Sequence, residues 1–380
     1  MTSIVNAATS DGTNRYRARF AHAASDHFRS RYGLWLSSIG LGTYLGGTEA
    51  QTDDAYVKSI QEALRQGCNV IDTAINYRFM ASERAVGRAL KKLFASGEFQ
   101  RDEVVICTKG GFIPYDSHAP ADHAAYLQDN LLAPRLATAD EIVEGVHCIA
   151  PDYLSNQIGV SLANLGLSTL DVYYLHNPET QLAHVSPAQF MDRLRRAFAR
   201  LEEEVVKGRI RFYGIATWGG FRAEEHDRQY LPLFMLAKLA QEVGGDQHRF
   251  RFIQFPYSLT MPEAFTKRNQ VIERSDAAGQ PSQIRAPLLA AAVQHGIAAM
   301  ISAPLHQTQV LGRVPASVKS ALAPVEGDTQ VALQFVRSTP GVTTALVGMR
   351  RVQHVTENLA LASVDPMPQT EFIKRFARRT

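Results

Sequence analysis

Four ionisable side chains define the chemistry this chain could perform. Asp72 and Tyr77 share one short string, Ile71-Asp72-Thr73-Ala74-Ile75-Asn76-Tyr77. Lys109 lies in Thr108-Lys109-Gly110, and His176 in Leu175-His176-Asn177. Each sits at or just after the end of an apolar run. A carboxylate, a phenol, an amine and an imidazole together make an acid–base set. A free tyrosine has a pKa of about 10 and is a weak acid at neutral pH. A nearby ammonium stabilises the phenolate and makes the phenol a better proton donor. A drop of two to three units needs about 3–4 kcal/mol, and a close Lys in a dry site could supply it, so a lowered Tyr77 pKa is expected. A carboxylate would keep the lysine charged, and an imidazole could hydrogen-bond a substrate oxygen. Singly, each residue also has another use. An Asp caps helices, a Tyr packs, a Lys is solvated or forms a Schiff base, and a His is often structural.

These side chains need a scaffold that brings distant strand ends together. Eight strand candidates are legible: Ser37–Tyr44, Asn69–Ala74, Val104–Gly110, Leu170–Asn177, Phe212–Trp218, Phe252–Ser258, Ala298–Leu305 and Thr343–Met349. Most are near-continuous apolar runs, as parallel strands covered on both faces require. Helical patterns separate them. Val57, Ile60 and Leu64 recur at helical spacing in Tyr56–Arg65, and Ser82–Leu93 behaves alike. Phe190–Val206 carries Leu194, Phe198, Leu201 and Val205 on one face. Eight strand–helix units predict an α/β fold, a (β/α)8 TIM barrel, whose strand C-termini converge on one mouth. A dinucleotide-binding Rossmann fold would want G-x-G-x-x-G after the first strand. The glycines at 40, 42, 46 and 47 lack that spacing.

A single barrel domain is expected over 34–365, with an N-terminal extension over 1–33 and a C-terminal tail over 366–380. Residues 1–12 read as a loose tail. The connection over 112–150 is longer than one helix needs and contains Tyr115, His118, His123, Tyr126 and His147. It reads equally as a surface excursion or a substrate lid. The polar connection Leu259–Pro281 reads as solvated.

Composition narrows the function. Apolar residues are 45% and charged residues 20%, which excludes bulk disorder. Lys plus Arg is 40 against 37 acidic residues, a net charge of +3, which argues against a nucleic-acid binder. The three cysteines, Cys68, Cys107 and Cys148, suggest neither a disulfide framework nor a zinc ribbon. The 12 histidines show no H-x-H or H-E-x-x-H spacing, so no metal is expected. No signal peptide or membrane span is legible, and a cytoplasmic protein is expected.

The chain resembles the aldo-keto reductase superfamily, as a divergent member. The resemblance rests on GLGTY at 40–44, DTA-x-x-Y at 72–77, Ser82-Glu83 with Gly87 and Leu90, TKG at 108–110 and LDVYYLH at 170–176. It continues through IRFYGIA at 210–216, Gln254 in IQFPYS, and VGM followed by Glu357-Asn358. It implies reduction of an aldehyde or ketone by NAD(P)H, or the reverse on a sugar-like alcohol. Tyr77 would be the general acid, Lys109 its modulator, Asp72 the partner of Lys109, and His176 the orienting donor. The same fold also serves as a cofactor-binding regulatory subunit of membrane channels, and a lyase using Lys109 is a third reading.

The resemblance further implies a nicotinamide dinucleotide across the barrel mouth, touching Thr43, Thr217, Trp218, Gln254, Ser302, Pro304, Leu305, Gly348 and Met349. Glu357-Asn358 would hold the adenine amine. His354 stands where many members carry an Arg for the 2′-phosphate, and Arg350 or Arg351 could supply that charge, so NADP(H) is favoured over NAD(H). Two departures stand out. Thr217-Trp218 replaces the Ser-Asn that binds the carboxamide, and Trp offers one donor and no acceptor. Ser302 replaces a stacking aromatic. Trp218 is read as a substitute stacking surface or a pocket wall. Tyr44, Phe112 and Trp218 are the expected substrate walls, suited to a medium-sized carbonyl compound. Arg78 stands where many members have Gly; beside the mouth it would select anionic or polyhydroxylated substrates, and the alternative, slightly favoured, is that it is surface exposed.

Overall fold

The computed structural model describes residues 7–275 and 280–377. The first strands are β1 (Phe28–Arg31), β2 (Leu34–Ser37), β3 (Ile39–Gly42), β4 (Val70–Asp72), β5 (Val105–Gly110) and β6 (Leu170–His176). They are followed by β7 (Ile210–Ala216), β8 (Phe250–Pro256), β9 (Gln270–Ser275), β10 (Pro281–Ala286), β11 (Ala298–Ser302) and β12 (Val342–Gly348). Eight strands close a parallel barrel in the order β11-β12-β3-β4-β5-β6-β7-β8. Each coincides with one of the eight apolar runs, so the fold is the (β/α)8 TIM barrel.

The barrel interior is filled by Val70, Val105, Cys107, Val172, Tyr174, Phe212, Phe252, Met300 and Leu346, so it is a packed core rather than a pore. A larger layer between strands and helices includes Ile60, Leu64, Leu90, Leu194, Phe198 and Leu201, the faces legible as helical stripes. The helix Pro187–Val206 starts with a reciprocal capping box between Ser186 and Gln189, which satisfies its first free N–H groups.

The polar extensions were the least legible parts. Residues 7–12, expected as loose, are tied down: Ala7 and Ala8 are buried, and the Ala8 N–H donates to Asp171 Oδ1 at 2.7 Å. Thr9 caps the helix Ser10–Ala18, and residues 1–6 lie outside the described residues. The antiparallel hairpin β1–β2 places Leu34 and Leu36 against the interior residues. In the connection expected to be solvated, β9 pairs with β10, and Ile272 and Gln270 are buried against neighbouring helices. Its residues 276–279 lie outside the described residues. The expected C-terminal tail contains the helix Gln369–Phe376, with Phe372 buried.

The connection over 112–150 packs a small core from Ile113, Leu131, Ala137, Cys148 and Ala150 against Tyr153 of the following helix Pro151–Leu165. The bidentate pair of Arg84 with Asp116, at 2.7 and 2.8 Å, fastens it to the helix Ala81–Ala95.

Candidate active site

Strand ends bring the four ionisable residues together. Asp72 is the last residue of β4, Lys109 the penultimate residue of β5, and His176 the last of β6. Tyr77 lies on the loop after β4, whose Tyr77 N–H closes a turn onto the Ala74 carbonyl at 3.1 Å. Lys109 is fully buried. Its Nζ donates to Asp72 Oδ2 at 2.7 Å and to the Thr73 carbonyl at 2.8 Å. The other Asp72 oxygen accepts from Gln254 Nε2 at 2.8 Å. The Lys109 ammonium lies 4.7 Å from the centre of the Tyr77 ring. The Tyr77 and His176 rings meet edge-on at 5.9 Å, with Tyr44 against Tyr77 at 5.0 Å and Phe112 against His176 at 5.1 Å.

The electrostatics correct one expectation. Burial raises the Tyr77 pKa above its ordinary value, and the opposing pull of the Lys109 ammonium does not overcome it. The phenol therefore keeps its proton throughout the neutral range. Burial works against the charge on Lys109, but Asp72 and Tyr77 together outweigh it and hold its pKa above the ordinary value. His176 is pushed well below its ordinary value by burial, then by Lys109 and His147, so its imidazole is neutral. Its Nδ1 is buried and unpartnered.

A ring of supports explains the neighbouring motif residues. The Thr108 hydroxyl donates to buried Glu83 at 2.6 Å, and Asn164 Nδ2 donates to the same carboxylate at 2.9 Å. Glu83 thus latches β5 to the helices on either side. Gly110 is required by a close approach, since a Cβ there would lie 1.8 Å from the Tyr173 hydroxyl. His147, from the 112–150 connection, contacts the carbonyl of His176 through Nε2 at 2.8 Å, and its Nδ1 faces Gln181 Nε2 at 2.9 Å. Donation from Gln181 to Nδ1 places the His147 proton on Nε2.

A cavity of about 510 Å³ opens above these residues. Of the residues expected to line it, Thr43, Tyr44, Phe112, Thr217, Trp218, Gln254, Ser302, Pro304, Leu305 and Gly348 do so. Tyr44 and Trp218 are 57% and 46% exposed at its rim. Met349 does not line it; it is fully buried in the core. Thr217 lines it, but its hydroxyl is already used, donating to Glu179 and accepting from the Gly220 N–H at 2.8 Å. Arg78 is not surface exposed: its side chain is 1% exposed, donating to Asp53 at 2.5 Å and to the Gly47 carbonyl at 2.6 Å. The left-handed backbone of Arg78, Phe79 and Met80, with φ of 52°, 52° and 68°, turns it inward.

Away from the mouth, Arg350, Arg351 and His354 lead into and begin the helix Val352–Leu359, and none makes an ion pair among the described residues. Glu357 is exposed, and its side chain accepts from Gln353. Asn358 is buried, and its Oδ1 has no partner. An orphaned acceptor of this kind suits an amine donor such as the adenine amino group. Cavity residues that sequence reasoning missed include Asn76, Asn177, Gln307 and Thr308. Asn177 directly follows His176, and that adjacency was the available signal. Among the described residues no group of three or more His, Cys, Asp or Glu is placed to hold a metal ion, and no helix is long and apolar enough to cross a membrane.

This barrel with its buried Lys–Asp pair falls in a known class. The aldo/keto reductase family model matches residues 38–237, and the chain belongs to that family. Among individual relatives, the chain is 31% identical over 203 residues to the NADH-specific methylglyoxal reductase of Escherichia coli, covering 52% of each protein. The chain thus spans about half the length of that relative. It is 23% identical over 368 residues to a putative voltage-gated potassium channel subunit beta of Schizosaccharomyces pombe, covering 92% of this chain and 91% of that one. Solved structures share the fold. The aldo/keto reductase of Klebsiella pneumoniae with NADP and acetate superposes with a TM-score of 0.59 at 19% identity, covering 94% and 97% of the two chains. The holo aldo-keto reductase of Bacillus halodurans gives 0.60 at 18% identity, covering 94% and 98%.

Proposed function

We propose that this protein is an NAD(P)H-dependent carbonyl reductase acting on an uncharged, medium-sized aldehyde or ketone. The observation that carries this reading is the buried Lys109 ammonium, 2.7 Å from Asp72 and 4.7 Å from the centre of the Tyr77 ring, behind the Asp72, Tyr77 and His176 that line an aromatic cavity. A bound dinucleotide would supply the hydride. Tyr77 then donates its proton to the developing alkoxide, and Lys109 stabilises the phenolate left behind. Asp72 keeps Lys109 charged and in place. Neutral His176 is a hydrogen-bond donor for the carbonyl oxygen through its cavity-facing edge. In the reverse direction the phenolate is the base.

The same geometry argues against a Schiff-base lyase. Lys109 is protonated, fully buried and engaged twice, so it offers no free amine. The long alignment with the channel subunit keeps a regulatory reading in view, and turnover separates the two. For the cofactor, we favour NADP(H). Arg350 and Arg351, which make no ion pair among the described residues and lead into the helix that carries Asn358, are suited to a 2′-phosphate. The NADH-specific relative points the other way. The test is titration with NADPH and NADH, followed by absorbance at 340 nm with a panel of neutral and anionic carbonyl compounds. Oxidation of NADPH by neutral aldehydes is expected. Binding without turnover of any carbonyl would overturn the reductase reading in favour of the regulatory one.

A further inference from the structure

The nicotinamide carboxamide offers one carbonyl acceptor and one amide donor, so a protein site for it needs a donor and an acceptor. The two positions expected to provide them are unavailable here. The Thr217 hydroxyl is committed to Glu179 and Gly220, and Trp218 has no amide. Two other amides face the same end of the cavity. Gln254 gives its Nε2 to Asp72, which leaves its Oε1 as an unfilled acceptor. Asn177 sits in register beside Thr217, because its N–H donates to the Ala216 carbonyl at 2.6 Å. Its Oδ1 accepts from the Trp218 N–H at 2.9 Å, which fixes the amide and leaves Nδ2 without a partner among the described residues, on the cavity lining.

We infer that Asn177 is the carboxamide-binding residue that replaces the missing asparagine of the next strand. Its Nδ2 donates to the carboxamide oxygen while Gln254 Oε1 accepts from the carboxamide amine. This inference rests on the dinucleotide reading above. The residue type fits its backbone as well as its role. Asn177 is left-handed, with φ of 47°, a conformation that asparagine adopts more readily than most residues. Its fixed amide also needs no reordering when it meets the ligand. Trp218 becomes the second half of the device: its backbone N–H orients the Asn177 side chain, and its indole forms the rim.

The test uses the whole protein, NADPH, and adenosine 2′,5′-bisphosphate, which carries the adenine end and no nicotinamide. Asn177→Asp keeps the acceptor for the Trp218 N–H and loses the donor. Asn177→Gly suits the left-handed backbone and loses the amide without adding charge. Both variants should bind NADPH about tenfold more weakly by fluorescence titration, the loss expected for one hydrogen bond to a buried group. Both should bind the bisphosphate as the unaltered protein does. Unchanged NADPH affinity in either variant would overturn the assignment. So would an equal loss for the bisphosphate, which would mark a general collapse of the site. If the unaltered protein binds the bisphosphate but not NADPH, the carboxamide site itself is refuted. If it binds neither of these nor NADH, the dinucleotide reading fails and this inference falls with it.

Discussion

Replacing Lys109 with Met tests the buried ion pair most directly. Methionine retains most of the apolar stem, so packing changes little and the charge is what disappears. Asp72 then keeps one donor, Gln254 Nε2, at a position that is 5% exposed. Breaking a buried pair by removing one partner costs about 3–5 kcal/mol, because the remaining charge is uncompensated. The variant can relieve that cost by protonating Asp72, which gives the effect a pH signature. Without Lys109 the folded-state pKa of Asp72 lies above its unfolded value near 3.9. The unfolded chain then releases a proton that the folded one retains, so the variant loses stability as pH rises between those two values, at about 1.36 kcal/mol per unit. In the unaltered protein burial also raises the Asp72 pKa, but Lys109 and Gln254 pull against it, so the same loss is present and smaller. There the raised Lys109 pKa contributes stability that is present below about 10.4 and lost only at higher pH. Urea unfolding followed by tryptophan fluorescence at pH 5 and pH 8 should therefore show a larger deficit at pH 8. Adding Asp72→Asn should restore part of it, since no buried charge is left. A variant as stable as the parent at pH 8, or a deficit independent of pH, would refute the argument that the pair is ionised.

Other outcomes follow from the same geometry. Tyr77→Phe should lower carbonyl reduction about 10²–10⁴-fold in single-turnover assays while leaving NADPH affinity nearly intact, because only the proton donor is lost. Arg350→Ala with Arg351→Ala should weaken NADPH binding about tenfold by titration and leave NADH binding unchanged. Gly110→Ala should sharply destabilise the fold, measured by urea midpoint, since its Cβ would stand 1.8 Å from the Tyr173 hydroxyl. Burial lowers the His147 pKa to about 4, so the stability it contributes is present above about 6.5 and lost as pH falls toward 4. His147→Gln should flatten the stability–pH curve across that interval.

What could be read from the sequence divides along physical lines. The barrel strands were legible because both of their faces are buried, and runs such as Leu170–His176 have no competing pattern. The site followed from them, since Asp72, Lys109 and His176 are strand ends whose convergence is a property of the barrel. Local polarity misled at the periphery. Ser10–Ala18 looks like solvent-facing sequence, yet Thr9 caps it and Tyr16 is buried. Gln270–Ser275 alternates polar and apolar residues and makes a strand only because β10 pairs with it. Arg78 was misjudged because an arginine in a loop is ordinarily exposed. Its partner Asp53 lies 25 residues away, and no local pattern announces it. The Tyr77 pKa was misjudged for a different reason: the ammonium was foreseen, but the burial that outweighs it depends on the completed fold. Asn177 was marked only by following His176; its place beside Thr217 depends on the register between β6 and β7, which no single strand carries.

The fastening of the 112–150 connection has a consequence for the chamber wall. Arg84–Asp116 pins one end of it and His147 the other, while only Phe112 reaches the cavity. The first anchor is open to solvent and holds by at most about 1 kcal/mol, whereas the His147 contact is buried, so Phe112 takes its place at that wall from the inner fastening.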